Sequence, residues 1–122
     1  MSPFLLPALV CAVITVIHVF AGGREVVPPL LAAKDLPPEV KFLHYYCWHA
    51  VSITLVGMTG TYAYAALAPD GRVLAIFATL LAGALSLWCL ALVLWKQQRH
   101  RDLPQWLIFA ILTASGAWAL AA

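Results

Sequence analysis

Four long stretches of nearly unbroken apolar residues divide this chain, and its polar residues collect in the gaps between them. A helix needs about 20 mostly apolar residues to cross the hydrocarbon core of a bilayer. Residues from about 3–21, 38–67, 73–95 and 104–121 meet that requirement. The pattern predicts an all-α integral membrane protein: an up-down-up-down four-helix transmembrane bundle forming one domain.

Local signals set the expected ends of these helices. Gly22-Gly23 reads as a stop after the first stretch. Leu36-Pro37-Pro38-Glu39 reads as the start of the second, because proline suits a first helical turn and Glu39 complements the positive end of the helix dipole. At ~1.5 Å per residue the second stretch exceeds the hydrocarbon thickness, so its first turns lie at the interface or the helix tilts. Pro104 marks the start of the fourth. Ala68-Pro69-Asp70-Gly71 has the chemistry of a tight turn, which makes the second and third helices an antiparallel hairpin. Between the first two spans, Val26 to Ala33 is apolar but broken by Pro28 and Pro29. It is expected to lie along the membrane surface as an interfacial loop or short helix.

Composition supports lipid as the solvent. Of the 122 residues, 64% are hydrophobic and only 10% charged, against roughly 25% charged in soluble domains. Too few charges remain to cover a surface in water, and no basic stripe suited to nucleic acid exists. Six cations, Arg24, Lys34, Lys41, Lys96, Arg99 and Arg101, fall in the first and third connections or beside them, and Arg72 alone falls at the other end. The positive-inside rule then puts both large loops in the cytoplasm and both termini outside. Trp48, Trp95 and Trp106 are expected near the cytoplasmic interface, Tyr62 and Tyr64 near the outer one. No basic segment precedes the first apolar run, so that run reads as a retained helix rather than a cleaved leader.

Small residues at helical spacing mark expected packing rows: Gly57-Thr61-Ala65, Ala75-Thr79-Gly83 with Ala78-Ala82-Ser86, and Ala110-Ala114 with Thr113-Ala117. Cys11, Cys47 and Cys89 sit inside apolar runs without CxxC spacing, which argues against a disulfide framework, a zinc ribbon or a thioredoxin-like pair. The first span has no mid-helix carboxylate of the kind a small multidrug exporter needs.

The candidate chemistry gathers in one half of the expected bilayer. His18 lies near the end of the first span, His44 near the start of the second, and His49 about two turns deeper than His44. Ionisable groups are costly in a membrane and by default mark a site. Three readings follow. First, His18, His44 and His49 with Glu25 or Cys47 hold a metal ion, or His18 and His49 ligate a haem b, giving a redox or cofactor-binding role. Against a shared face, His44 and His49 diverge by about 140° around their helix. Four-residue steps instead pair His44 with Trp48 and Tyr45 with His49. Second, Arg24 beside Gly22-Gly23 binds the carboxylate or phosphate of a lipid-like molecule, with Tyr45, Tyr46, Cys47 and Trp48 as wall. Third, these aromatics are only an interfacial belt, and the chain is a non-catalytic accessory subunit of a larger membrane complex or a homo-oligomer.

The segments Ile17-His18-Val19-Phe20-Ala21-Gly22-Gly23-Arg24-Glu25 and Tyr45-Tyr46-Cys47-Trp48-His49 resemble those of a group of short, four-span bacterial membrane proteins with no assigned activity. The resemblance covers the whole chain. It implies the topology and a bacterial inner-membrane setting, and no mechanism.

Overall fold

The computed structural model describes all 122 residues and contains helices and turns but no strand. Helix α1 spans Leu5–Ala32, α2 Pro38–Leu67, α3 Arg72–Trp95 and α4 Gln105–Ala121. The first three are long and apolar enough to cross a membrane, while α4 has 17 residues. Helix α2 has the limits expected from its proline start and its Pro69–Gly71 turn.

Helix α1 corrects the expected stop at Gly22-Gly23. Both glycines keep right-handed helical angles, and the chain stays helical for another ten residues, Gly23–Ala32. No glycine in the molecule has a positive φ, so the left-handed step that lets glycine end a helix is not taken. The expected loop is therefore the second part of one 28-residue helix. What ends it lies further on. Pro37 forces Leu36 away from the α region, Ala33 is already extended at ψ 125°, and Pro37 has ψ 143°. Inside α1, Ile17–Gly22 winds as a π-helix, a wider turn of the kind left by one inserted residue.

Each helix packs on two neighbours: α1 on α2 and α4, α3 on α2 and α4. The buried side chains recur every three or four residues, as one helix face requires. They are Pro7, Ala8, Cys11 and Ile14 on α1, then Leu55, Met58, Tyr62 and Ala65 on α2. On α3 they include Ala75, Ala78, Thr79, Ala82 and Ser86, which occupy both expected small-residue rows. Two other rows need correction. Gly57 faces open space, and α2 packs through the bulkier Leu55-Met58-Tyr62 face instead. On α4, Ala114 and Ala117 are exposed while Phe109, Leu112, Ser115, Gly116 and Ala119 are buried.

Polar contacts join three of the four neighbouring pairs. Cys11 Sγ lies 3.5 Å from Leu55 O, Tyr62 OH 2.9 Å from Thr79 Oγ1, and Ser86 Oγ donates to Trp106 O at 2.6 Å. Tyr62 is thus a core residue and not part of an interfacial belt, which corrects its expected place. Tyr64 donates to Asp70 of the adjoining turn at 2.8 Å. Arg72 caps the end of α4 by donating to Leu120 O at 2.7 Å. No hydrogen bond joins α1 to α4.

The core is lopsided. No residue between Ile14 and Leu55 is buried. The cause is the length of α4: its first turn meets α3 at Ser86, more than two turns short of Trp95. The half of the α1–α2 pair near the Ala33–Pro37 connection is therefore not covered by α4. All the candidate chemistry lies there.

Candidate functional site

Antiparallel register brings the two halves of the site together. Cys11 meets Leu55 near the middle of the pair, and seven residues further along α1, His18 meets Trp48 and Ser52 on α2. The His18 and Trp48 rings stack, with centroids 4.0 Å apart and planes 19° from parallel. Gly22 makes room for this stack: a Cβ there would lie 2.9 Å from Trp48 Cη2. Glycine at this position admits an indole, and Trp48 pairs with His18 rather than with His44 as its spacing suggested.

His18 is held through one ring nitrogen. Its Nε2 lies 3.0 Å from Ser52 Oγ and 3.4 Å from Trp48 O, and Ser52 Oγ is 3.2 Å from the same carbonyl. A carbonyl only accepts, so Nε2 donates when it carries the proton and accepts from the Ser52 hydroxyl in the other tautomer.

The other histidines go separate ways. His44 is exposed, and its Nδ1 donates to Val40 O at 2.7 Å. His49 meets the edge of Tyr45 with ring centroids 4.7 Å apart, the four-residue pairing expected from spacing. Glu25 is exposed and does not line the groove described next. No three His, Cys, Asp or Glu residues gather in a group able to hold a metal ion. The set His18, His44, His49 and Glu25 is thus not assembled. The His18 ring lies against Trp48 with its Nε2 toward Ser52, while His49 meets Tyr45.

What does assemble is a groove of about 430 Å³ between α1 and α2. Helix α1 contributes Phe20, Arg24 and Val27, and α2 contributes Tyr45, His49 and Ser52. Each set is spaced by three or four residues, so each lies on one helix face. Trp48 forms part of the floor, and Val19 and Pro28 complete the apolar side. Tyr46 and Cys47 do not line it and are exposed. Ser52 and Phe20 escaped the sequence reading. The signal for Ser52 was present: it continues the Tyr45-Trp48-His49 face by one more turn.

Arg24 dominates the electrostatics of the groove. The ion pairs of the molecule are Arg99–Asp102 at 3.3 Å and Arg101–Asp102 at 3.7 Å, both in the exposed loop before α4. Arg24 has no carboxylate partner. An unpaired guanidinium presents a planar fork of donors suited to phosphate or carboxylate. His49, Ser52 and Tyr45 supply further polar residues, and Phe20, Val27 and Pro28 supply an apolar wall. The groove is amphiphilic in the plain sense: one cationic corner, several neutral polar groups and a greasy flank.

Comparison of the chain with protein-family models, curated proteins and solved structures finds no match in any of the three.

Proposed function

We propose that this chain is a bacterial inner-membrane protein with four spans, both termini periplasmic, that binds an anionic, lipid-like molecule in the α1–α2 groove on its cytoplasmic side. The topology rests on six cations at or beside the two long connections against Arg72 at the other end. The short α4 serves as the fourth span, because 17 residues reach about 25 Å and Trp106 anchors its start at the interface. The resemblance of the Ile17–Glu25 and Tyr45–His49 segments to short four-span bacterial proteins supports the same setting.

The observation that carries the binding role is Arg24: an unpaired cation within an amphiphilic groove, on a part of the molecule that α4 does not reach. The anionic group sits on Arg24 with His49 and Tyr45 beside it, and the apolar part lies toward Phe20. Lipid extraction from the purified protein tests this directly. An anionic amphiphile is expected to accompany the wild type and to be lost from Arg24→Gln, with the helical content of the variant unchanged. Equal retention by both proteins overturns the proposal.

One observation favours a second reading, a non-catalytic accessory subunit. Phe42, Leu43 and Tyr46 are all exposed near the start of α2, where α2 extends about six residues beyond α3. Purification from native membranes with a larger enzyme, abolished by Phe42→Ser, is the outcome that reading requires.

A further inference from the structure

Ser52 stands apart from the other hydroxyls of the molecule. Thr15, Thr54, Thr59 and Thr113 each turn the hydroxyl back to the carbonyl four residues earlier in the same helix. Ser52 has that partner too, with Trp48 O at 3.2 Å, but its nearer one is His18 Nε2 at 3.0 Å on the facing helix. A hydroxyl within hydrogen-bond reach of an imidazole nitrogen is the arrangement of an activated nucleophile, provided a third group orients the base. Trp48 does so. Its ring stacks on His18 with centroids 4.0 Å apart, and Gly22 leaves room for the indole. With the proton on Nδ1, Nε2 accepts from the Ser52 hydroxyl.

The pair is also within reach of a substrate. Ser52 lines the groove that holds Arg24 and His49. Neither Ser52 nor His18 is buried, and Arg24 and His49 are exposed, so water enters from the open side. His49 stands three residues, about 4.5 Å, from Ser52 on one face of α2.

We propose that Ser52 and His18 form a nucleophile–base pair that hydrolyses a carboxylic ester of the amphiphile whose anionic head rests on Arg24, an inference that builds on the binding role above. Ser52 Oγ attacks the ester carbonyl carbon as its proton passes to His18 Nε2. The ester C–O bond breaks, the alcohol leaves with that proton, and the acyl group stays on Ser52. Water then attacks the acyl carbon and gives a proton to Nε2. The Ser52 ester bond breaks, the carboxylic acid departs, and Ser52 Oγ takes the proton back. Ester and water become acid and alcohol, with no oxidation or reduction. His49 supplies a donor to the carbonyl oxygen, where negative charge develops. An ester suits the pair better than an amide, because no carboxylate bonds His18 to support the imidazolium.

Two probes test this on the full-length protein in neutral detergent. An alkyl fluorophosphonate phosphonylates an activated serine with loss of fluoride, and peptide mass mapping locates the adduct. Palmitoyl lysophosphatidic acid is the ester, with palmitate release as the readout. The wild type is expected to carry the adduct on Ser52, to lose it on heat denaturation before labelling, and to release palmitate. His18→Gln, with its helical content unchanged, is expected to slow both reactions about 100-fold. Arg24→Gln is expected to slow palmitate release more than adduct formation. A wild type that gains no adduct on Ser52, or an undiminished adduct in His18→Gln, overturns the hydrolysis alone if an anionic amphiphile still co-extracts with the wild type. An adduct without palmitate release overturns the ester substrate. Equal palmitate release by Arg24→Gln and the wild type overturns the binding role of Arg24 and leaves the Ser52–His18 pair standing.

Discussion

Gly116 and Gly22 show how much a single hydrogen in place of a methyl can decide. At Gly116 a Cβ would collide with Thr79 Oγ1 and lie 2.8 Å from Tyr62 OH, where side chains of α2 and α3 meet α4. Gly116→Ala must break the Tyr62–Thr79 contact or push α4 away. It is expected to cost about 1–3 kcal/mol, read as a lowered midpoint of thermal unfolding in detergent. Gly57→Ala, which meets no atom within 4 Å, is the control and should show no loss. Tyr62→Phe removes one buried hydroxyl and leaves Thr79 bonded to Ala75 O at 2.8 Å. Its expected cost is smaller, about 0.6–1 kcal/mol. At Gly22 the consequence is local. Gly22→Ala displaces the Trp48 ring and unstacks it from His18, which should alter tryptophan fluorescence without lowering the unfolding midpoint as far as Gly116→Ala does.

At the scale of elements, the π-turn and the short α4 are what make a site possible. A π-turn holds one residue more than the α-turn it replaces. Deleting Ala21 should therefore restore regular α-helix with the facing of Arg24 unchanged, whereas inserting an alanine after Ala21 adds a residue the turn does not absorb and rotates everything beyond it by about 100°. In the insertion variant Arg24 would leave the groove while α1 keeps its buried Cys11 and Ile14. That variant should fold with wild-type helicity by circular dichroism and fail to bind a phosphate amphiphile. Retained binding would show that the π-turn does not position Arg24. These elements were unequally legible. The limits of α2 and the turn at Pro69–Gly71 follow from prolines and a turn tetrad whose chemistry is local. The continuation of α1 was not legible, because glycine permits a left-handed helix stop without requiring one, and Gly22 and Gly23 keep right-handed helical angles.

At the scale of the whole molecule, the proposed orientation makes a labelling prediction. In a Cys47→Ser background, Asp70→Cys should react with a membrane-impermeant maleimide added to intact spheroplasts. Arg99→Cys should react only after permeabilisation. The reverse pattern would invert the topology and put the Arg24 groove outside. The lopsided core also predicts uneven dynamics. Amide exchange should be slowest around Leu55–Ala65 and Ala75–Ser86, where side chains are buried, and faster across residues 15–54, where none is. A bound amphiphile should slow exchange in Phe20–Val27 and Tyr45–Ser52 before it slows any other region.

The sequence by itself determined that the chain is helical with runs apolar enough to cross a membrane, the limits of α2 and the place of the tight turn. These depend on the length of apolar runs and on the conformational limits of proline, which act within a few residues. It also paired Tyr45 with His49, since a four-residue step on one helix needs no partner element. Only the tertiary structure decided that Trp48 stacks on His18, that Ser52 occupies its Nε2, and that His44 and Glu25 stand apart from Arg24. Those outcomes depend on the register between α1 and α2 and on the extra residue in the π-turn. Neither leaves a periodic mark in the chain, because each fixes the rotation of one helix against another rather than the conformation of either.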